Sequence, residues 1–475
     1  MGLLTKLHDK LVSAAMRGMG TLLPFVSDQR LVDTVKKRID TEVPYPEGRD
    51  FITKMLLTVK EFFPKLSKNV RKKAVEVFLV NAEVHGAKIR ESLKGKLGYW
   101  APFLFVVSPT MRCNLRCYGC YAGEYEKEDD LPWETLDSIM RQAKEMGIYF
   151  IVLSGGEPFI YPHLFKLLET HNDMYFQSYT NGTLIDEPTA RRLSELGNFL
   201  PCISVEGFQK ETDERRGKGH FKKVMQAMEN LRKHGVLFGF SATATRQNND
   251  FICSEPFVDF YIQQGCFIGW YFNYIPIGKA PVLDLMPTPQ QRIERRRKIA
   301  ALRRKKDIIL ADFWCDGTLC GGCIAGGRHY FHINNHGDVE PCVFAHFACD
   351  NVKDKPLLEI LDSNFFRSFR RRQPYNENLL RPCAIIDNPQ VLRDVVKENN
   401  AYPTHQDAEQ VITEFAPFLD KYAEEYGRLA DEEWFNSYLP SLSEEERTTL
   451  LNYLRTVKQE NESIFTPKEE PQTVE

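Results

Sequence analysis

The sequence lacks several features that would by themselves assign a class of protein. It has no run of about 18 apolar residues, which a membrane-spanning helix needs, and its start shows no apolar leader with a small-residue cleavage site. Its 62 basic and 65 acidic residues nearly cancel, giving a net charge of −3, so no positive excess points to a nucleic-acid partner. It also has no internal repeat, which argues against solenoid and propeller folds.

Cysteine is present in a clustered pattern. The 12 cysteines in 475 residues are too sparse for a disulfide scaffold. Three lie within Cys113–Cys120 and six within Cys315–Cys383, while Cys202, Cys253 and Cys266 stand apart. Clustered thiols in a chain without an export leader indicate metal binding in a reducing, cytoplasmic compartment. Cys202 and Cys266 have apolar neighbours, so we expect them to be buried packing residues.

Apolar periodicity predicts an order of regions along the chain. The first helix, over residues 2–22, is amphipathic and basic. It favours an ordinary packed helix, with a membrane-surface helix or a lid over an apolar substrate as alternatives. The arginines of the basic connector are expected on a solvated face, with phosphate binding as the alternative. The predicted regions are an N-terminal helical region (1–100), an α/β domain (101–285), a basic helical connector (286–309), a Cys- and Gly-rich domain (310–400), C-terminal helices (401–466) and a disordered tail (467–475).

Strands and helices alternate through the α/β domain. A buried strand is predicted at Phe103–Thr110, and a helical stretch begins near Ser67, a plausible N-cap, in the preceding region. Such alternation indicates a parallel sheet, here an incomplete (β/α)6 TIM-like barrel, whose ligand site lies at the carboxyl ends of the strands. The further strands are expected to end at Ser154, Thr180, Val205, Thr245 and Ile275, with helices at Trp133–Met146, Thr189–Leu196, Phe221–His234 and Glu255–Gln264.

The first cysteine group forms a compact motif directly after the first predicted strand. In CNLRCYGCY, Cys113, Cys117 and Cys120 have the spacing C-x3-C-x2-C. Three thiolates on one loop can hold three irons of a [4Fe–4S] cluster and leave the fourth iron open to a ligand. A zinc knuckle or unligated thiols are the alternatives, although zinc normally takes a fourth protein ligand.

With this motif and the later GGEP, the chain resembles the radical S-adenosylmethionine (SAM) family over roughly residues 103–278. The resemblance implies that the open iron binds SAM and that a flavodoxin- or ferredoxin-type donor supplies an electron. SAM is then cleaved to a 5′-deoxyadenosyl radical that acts on the substrate. The family often has an aromatic residue before the third cysteine, where this chain has Gly119. Tyr118 or Tyr121 could supply the surface near the adenine instead.

Residues at the ends of later strands complete a predicted SAM pocket. In LSGGEPF, Gly155 and Gly156 allow close backbone approach, and the resemblance implies that Glu157 binds the SAM amino group. A plain strand-to-helix turn is the alternative. Ser204 and Glu206, two apart in SVEG, share a strand face and could bind the ribose or the carboxylate region. After the sixth strand, Ile275 and Ile277 could pack against the adenine.

The second cysteine group is predicted to bind an auxiliary cluster. A hairpin with its turn at Asn335–Gly337 would bring Cys342 back toward Cys323. The pattern resembles the start of the SPASM or twitch extensions, which hold auxiliary iron–sulfur clusters, and a structural zinc ribbon is the alternative. One [4Fe–4S] cluster is expected, with ligands Cys320, Cys323, Cys342 and Cys383, and with Cys315 and Cys349 as substitutes; His329, His332, His336 and His346 are expected to be satisfied surface or core residues.

The substrate is open at this level. The amphipathic first helix favours a lipid or isoprenoid, modified by carbon–carbon bond formation or adenosyl transfer, and a peptide-modifying maturase is the alternative. The competing hypothesis from another class is a non-catalytic iron–sulfur or zinc protein. GGEP and SVEG favour the enzyme, because an electron carrier needs no SAM pocket. No substrate acid or base is assigned, and Tyr118, Tyr121 and Tyr271 are expected to pack, with radical transfer as the alternative.

Overall fold

The computed structural model describes residues 27–123, 129–278 and 280–466. The predictions for the amphipathic segment at 2–22 and for the tail at 467–475 therefore lie outside the described residues. Within the described ranges, no helix combines the length and apolarity needed to cross a membrane.

The N-terminal region is helical, as predicted, and it closes the amino end of the barrel. Ser67 caps its third helix by accepting a hydrogen bond from the Val70 amide, which confirms the predicted start. Apolar side chains of these helices pack near the first residues of several barrel strands, including Tyr175 and Leu200. The opposite, carboxyl end is thereby left for a site. The helices are α1 (Asp28–Glu42), α2 (Pro46–Phe62), α3 (Lys68–Lys73) and α4 (Gly86–Leu97), with a π-helical stretch at Ala74–His85 between the last two.

Seven parallel strands lie side by side in chain order. All six predicted strands are confirmed, and β7 with its crossover helix α12 extends the predicted (β/α)6 arrangement by one unit. The strands are β1 (Leu104–Val107), β2 (Phe150–Leu153), β3 (Tyr175–Thr180), β4 (Phe199–Val205), β5 (Gly239–Ala244), β6 (Ile268–Asn273) and β7 (Ile309–Asp312). The helices between them are α5 (Trp133–Glu145), α6 (Leu164–Thr170), α7 (Glu187–Leu196), α8 (Gln209–Arg216), α9 (His220–Lys233), α10 (Asn249–Ile252), α11 (Glu255–Gln264) and α12 (Pro289–Lys305).

The strands bury both faces, as a parallel sheet between helices and a barrel interior must. Successive side chains alternate between the two faces. Phe105 and Tyr271 pack without exposure in the main core, whereas Val106, Trp270 and Phe272 line an interior cavity. Cys202 and Cys266 are fully buried, which confirms their prediction as packing residues.

The basic helix α12 is not the solvated connector that its sequence suggested. Arg292, Arg295, Arg296 and Arg303 are buried, because the helix crosses from β6 to β7 and is then covered by C-terminal helices. The Arg295 guanidinium donates to Asp312 at 2.7 Å and also to the side chains of two buried asparagines. The predicted solvated face is therefore wrong for Arg295, Arg296 and Arg303. Pairing with internal carboxylates compensates their burial and leaves no support for phosphate binding.

The Cys-rich region joins the free edge of the sheet. Strand β8 pairs in parallel with β1, with Val106 opposite His332, and β9 pairs antiparallel with β8 in the predicted hairpin. An exposed edge of β1 is thus covered. The remaining elements are β8 (His332–Ile333), β9 (Val339–Glu340), β10 (Phe347–Ala348), β11 (Tyr402–Pro403), α13 (Gly317–Cys320), α14 (Leu357–Leu361), α15 (Asn364–Arg371), α16 (Pro389–Glu398), α17 (Ala416–Glu433), α18 (Leu439–Ser441) and α19 (Glu444–Ile464), with a π-helical turn at Trp434–Tyr438.

Removing the Arg295 guanidinium should destabilise the fold strongly. Arg295→Ala leaves the buried Asp312 carboxylate without its partner, and we expect the free energy of unfolding to fall by about 3–5 kcal/mol. Arg304→Ala is the matched control, because Arg304 is exposed on the same helix; it should change the value by no more than about 0.5 kcal/mol. Urea denaturation followed by circular dichroism measures both. Equal losses in the two variants would contradict the assigned role of the buried pair.

Candidate active site

A cavity of about 210 Å³ runs along the inside of the barrel and brings the first cysteine group together with the strand ends. Cys113, Cys117 and Cys120 all line it, and so do Gly155 and Gly156. Much of the remaining wall is apolar or aromatic. These wall residues include Leu104, Val106, Phe150, Val152, Tyr179, Trp270, Phe272, Phe313, Ile324, Tyr330, Val343 and Phe344.

The three thiols are held in a partly buried loop. Burial raises the pKa of Cys113 and of Cys117, and at Cys117 the positive charge of Arg216 opposes that effect. The Cys113 sulfur accepts a hydrogen bond from the Leu115 amide at 3.4 Å. Across the described ranges, no three His, Cys, Asp or Glu side chains are gathered around one point to hold a single ion. A donor set of sulfurs that share one cavity, with amide and guanidinium donors beside them, fits a thiolate-bound iron–sulfur cluster.

The glycine pair after β2 fixes this loop. The Gly156 amide donates to the Thr110 carbonyl at 2.9 Å, and the Glu157 amide donates to the Arg112 carbonyl at 2.9 Å. A Cβ atom at Gly156 would lie 2.2 Å from the Arg112 carbonyl oxygen, which is far inside van der Waals contact. Because neither glycine has a Cβ atom, the backbone of the cysteine loop can lie directly against them. Both glycines also line the cavity, and a close approach of SAM to them stays a prediction.

The Glu157 carboxylate is bound by the turn that follows β3. It accepts hydrogen bonds from the Thr180 hydroxyl and from the Asn181 amide, both at 2.7 Å. Burial raises the pKa of Glu157, and these hydrogen bonds oppose the rise. In this arrangement the carboxylate holds the turn at Thr180–Gly182 beside the cysteine loop. The side-chain nitrogen of Asn181 lies 3.9 Å from the Cys113 sulfur. A contact between Glu157 and SAM stays a prediction.

At the fourth strand, the two predicted residues have different surroundings. Ser204 lines the cavity and lies 3.3 Å from the Ser241 hydroxyl. Glu206 is buried and accepts hydrogen bonds from Arg215 and Arg216, each at 2.6 Å. These arginines, on α8, line the cavity and were not among the residues predicted from the sequence. The sequence signal that could have identified them is the adjacent pair Arg215–Arg216, which follows shortly after Glu206 in the chain.

The aromatic surface next to the third cysteine comes from another strand. Gly119 has a φ of +63°, and a Cβ atom there would lie 2.8 Å from the Tyr274 ring. Tyr274, just after β6, lines the cavity, whereas Tyr118 is 53% exposed. Ile275 also lines the cavity; the backbone of Ile277 donates to the Ile275 carbonyl at 2.8 Å, and a direct adenine contact by Ile277 stays a prediction.

The remaining tyrosines occupy packing positions. Tyr121 is hydrogen-bonded to Ser154 at 2.7 Å on the cavity wall, and burial raises its pKa to about 12. Tyr271 is fully buried on the face of β6 that packs into the core. The packing prediction thus holds for these two tyrosines, and it is wrong for Tyr118, whose side chain is exposed.

The second cysteine group faces its own cavity, of about 300 Å³. Cys320, Cys323, Cys342 and Cys383 all line it. The two predicted substitutes are engaged elsewhere, since Cys315 lies 3.6 Å from the Arg295 guanidinium and the Cys349 thiol donates to the carbonyl of residue 399.

Burial and one nearby guanidinium determine the electrostatics of this second cavity. Burial raises the pKa of Cys320 and of Cys342 to about 11 each, and that of Cys383 to about 12. The charge of Arg328 opposes the rise at Cys320, and its guanidinium donates to the carbonyls of Cys320 and Cys323. Buried thiols with high pKa values lose their protons only when a metal compensates the charge.

A thin wall separates the two cavities. Trp270, Phe313 and Ile324 line both of them. The two cysteine groups are almost 200 residues apart in sequence, yet the two cavities that they line have wall residues in common.

A buried polar chain fastens the hairpin to the barrel. His332 lies 2.8 Å from the Ser108 hydroxyl and 2.5 Å from the Glu340 carboxylate, so it is a core histidine with both ring nitrogens engaged, as expected. The order Ser–His–Glu is that of a hydrolase triad, but Ser108 has no exposed surface that a substrate could reach. The role of the Ser108–His332–Glu340 hydrogen bonds is therefore to join β1 to the Cys-rich region.

Comparison with curated proteins finds relatives that are radical SAM enzymes. The chain is 28% identical over 313 residues to the Fe-coproporphyrin III synthase of Methanosarcina barkeri, covering 58% of this chain and 78% of that protein. It is 27% identical over 311 residues to mycofactocin maturase MftC of Mycolicibacterium smegmatis (61% and 77% covered). It is 27% identical over 285 residues to the PqqA peptide cyclase of Gluconobacter oxydans (57% and 79% covered).

Solved structures and family models were compared as well. The structure of Streptococcus suis SuiB bound to the precursor peptide SuiA superposes with a TM-score of 0.49 at 21% identity, covering 58% of this chain and 68% of that one. Residues 107–248 match the model of the radical SAM superfamily, and residues 323–384 match that of the SPASM iron–sulfur cluster-binding domain. The first range contains Cys113, Cys117 and Cys120, and the second contains Cys323, Cys342 and Cys383 but begins after Cys320. Residues 107–248 thus form a radical SAM domain and residues 323–384 a SPASM domain, and the chain is an enzyme whose domains imply a [4Fe–4S] cluster, SAM and auxiliary iron–sulfur binding.

Proposed function

We propose that this radical SAM enzyme modifies an apolar or aromatic group of its substrate inside the barrel cavity. The observation that carries the proposal is the composition of that cavity. The cysteines and glycines of the cofactor end meet a wall of strand side chains that is largely aromatic, including Phe150, Trp270 and Phe272. Aromatic walls hold flat or apolar groups with large contact areas and little competition from water.

In the proposed site, Cys113, Cys117 and Cys120 hold the first cluster. When bound, a cluster reduced by an external flavodoxin- or ferredoxin-type donor would supply, with SAM, radical chemistry at this end of the cavity. The tasks of the chain are to position the reactants and to exclude water. Gly155 and Gly156 keep the cysteine loop against β2, and this contact fixes where the three cysteines that would hold the cluster lie.

The SAM contacts are proposed from the groups that line the cavity. Arg215 and Arg216 present guanidinium groups that suit a carboxylate, and Glu206 holds both of them in place. Ser204 suits a ribose hydroxyl, and the ring of Tyr274 offers a flat surface to the adenine. Glu157 acts by ordering the turn after β3, and a direct contact with the amino group is compatible with its position beside Gly156.

The auxiliary cluster is proposed to be bound by Cys320, Cys323, Cys342 and Cys383. Four cysteines complete the ligand set of one [4Fe–4S] cluster, so no iron is left open there. The position across a shared aromatic wall from the reaction cavity suits electron exchange with the site of chemistry rather than substrate binding.

A peptide substrate is the second candidate, because named relatives include a peptide cyclase and a maturase. Other relatives are named as heme synthases, so the names alone do not choose between these classes. The lipid or isoprenoid hypothesis depends on residues 2–22, which lie outside the described ranges. If the segment is a lid or a membrane contact, deletion of residues 1–22 should weaken liposome binding while SAM cleavage persists. Unchanged liposome binding would remove the main argument for a lipid.

SAM cleavage should depend on the first cysteine group alone. After anaerobic reconstitution and reduction, the wild-type chain is expected to form 5′-deoxyadenosine from SAM, as measured by liquid chromatography. Cys117→Ala should abolish the product, because the first cluster then loses one of its three ligands. Cys253→Ala is the control, since Cys253 is buried in the core away from both cavities. Persistent cleavage in Cys117→Ala would overturn the assignment.

A methyl group at position 156 should displace the cysteine loop. In Gly156→Ala the new Cβ would meet the carbonyl oxygens of residues 111 and 112, so we expect at least about tenfold less SAM cleavage, or roughly 1.4 kcal/mol or more in transition-state stabilisation. Iron content should fall toward that of the second cluster alone. Gly95→Ala is the control, because a Cβ there meets nothing within 4 Å, and it should stabilise α4 by roughly 0.5–1 kcal/mol. Full iron loading and activity in Gly156→Ala would show that the loop tolerates displacement.

A further inference from the structure

A tyrosine contacts one of the proposed auxiliary-cluster ligands. The Tyr330 hydroxyl lies 2.8 Å from the Cys342 sulfur. The β8–β9 hairpin brings the two residues near each other, since each lies two positions beyond the His332–Glu340 pair. Neighbouring strands of a hairpin hold their side chains close enough to interact.

Tyr330 also belongs to the reaction cavity. Its side chain is 1% exposed, it lines the cavity of the first cysteine group, and its ring packs edge-on against Phe313 at a centroid distance of 5.9 Å. Phe313 lines both cavities, and Cys342 lines the second. One residue thus has its ring at the reaction cavity and its hydroxyl on a sulfur of the second cysteine group.

The sulfurs of this group differ in their hydrogen bonds. Those of Cys320 and Cys383 are hydrogen-bonded to backbone groups, and Cys342 has a buried side-chain hydroxyl in addition to its own backbone hydrogen bonds. A thiolate that ligates iron has no proton to give, so the tyrosine must then be the donor. A hydrogen bond to a ligating sulfur withdraws negative charge from the cluster and stabilises the reduced form.

We infer that Tyr330 is a positioning residue that raises the reduction potential of the auxiliary cluster by donating a hydrogen bond to the Cys342 sulfur. This inference rests on the proposed auxiliary site. The effect is local to the second cluster, because the hydroxyl points to Cys342 and away from the cysteine loop after β1. The reaction cavity and the auxiliary cluster are then linked through one side chain.

The test measures the potential of the auxiliary cluster in isolation. In the full-length chain, Cys113→Ala, Cys117→Ala and Cys120→Ala together remove the first cluster, and redox titration followed by electron paramagnetic resonance gives the potential of the second. Adding Tyr330→Phe should shift this potential to a lower value, since the ring stays and only the hydroxyl is lost. An unshifted potential with a loaded cluster would overturn the inference and leave the proposed function intact.

Tyr375→Phe is the matched control. Tyr375 is a partly buried tyrosine that also lines the second cavity, but its hydroxyl accepts a hydrogen bond from the Gln373 side-chain amide at 3.1 Å. Its loss should leave the potential unchanged. An equal shift in both variants would show a general response to lost polarity and would refute the specific role of Tyr330.

A second variant keeps the test decisive if Tyr330→Phe fails to load a cluster. Site-specific incorporation of 3-fluorotyrosine at position 330 retains size and hydroxyl while making the hydroxyl a stronger donor. The potential should then move to a higher value, opposite to the effect of phenylalanine. No upward shift would count against the hydrogen bond as its cause. If the parent chain without the first three cysteines holds no cluster at all, the auxiliary site itself is refuted, and the inference fails with it.

Discussion

The pairing of β8 with the free edge of β1 is the contact on which the arrangement of the two cysteine groups depends. A parallel sheet that ends at β1 would expose unpaired backbone groups, and the hairpin of the Cys-rich region satisfies them. The buried Ser108–His332–Glu340 chain adds side-chain hydrogen bonds to the same seam. Because β1 leads directly into the first cysteine loop and β9 leads directly into Cys342, fixing this one edge fixes both groups relative to each other.

Buried ionisable groups are the second constraint on the structure. Burial raises the pKa of Cys113 and Cys117 in the first cavity and of Cys320, Cys342 and Cys383 in the second. A guanidinium opposes the rise in each cavity, from Arg216 at Cys117 and from Arg328 at Cys320. Elsewhere the chain neutralises buried arginines internally, as Arg295 does with Asp312. Positive charge is thus used in two ways, to brace the scaffold and to accompany the sulfur ligands.

The sequence allowed the barrel to be predicted because apolar strands and amphipathic helices alternate with clear turn residues between them. The six strands and the hairpin were found for that reason. The seventh strand, β7, was not predicted. The arginine-rich sequence of α12 is typical of a solvated connector, and nothing in it indicates a buried helix that connects β6 to β7. Burial of those arginines depends on Asp312, Asp387 and Glu433, which lie on other elements. A local pattern cannot show partners that only the fold brings near.

The motifs by themselves predicted the radical SAM resemblance and the cofactor chemistry, because short spacings such as C-x3-C-x2-C are local and lie on one loop; the cluster ligands that they name stay predictions. Only the tertiary structure decided what surrounds them. It placed Arg215 and Arg216 on the cavity wall, directed the Glu206 carboxylate to them, and set Tyr274 against Gly119. It also put one aromatic wall between the two cavities. These contacts join residues on different strands and helices, and their geometry follows from packing, which no linear spacing encodes.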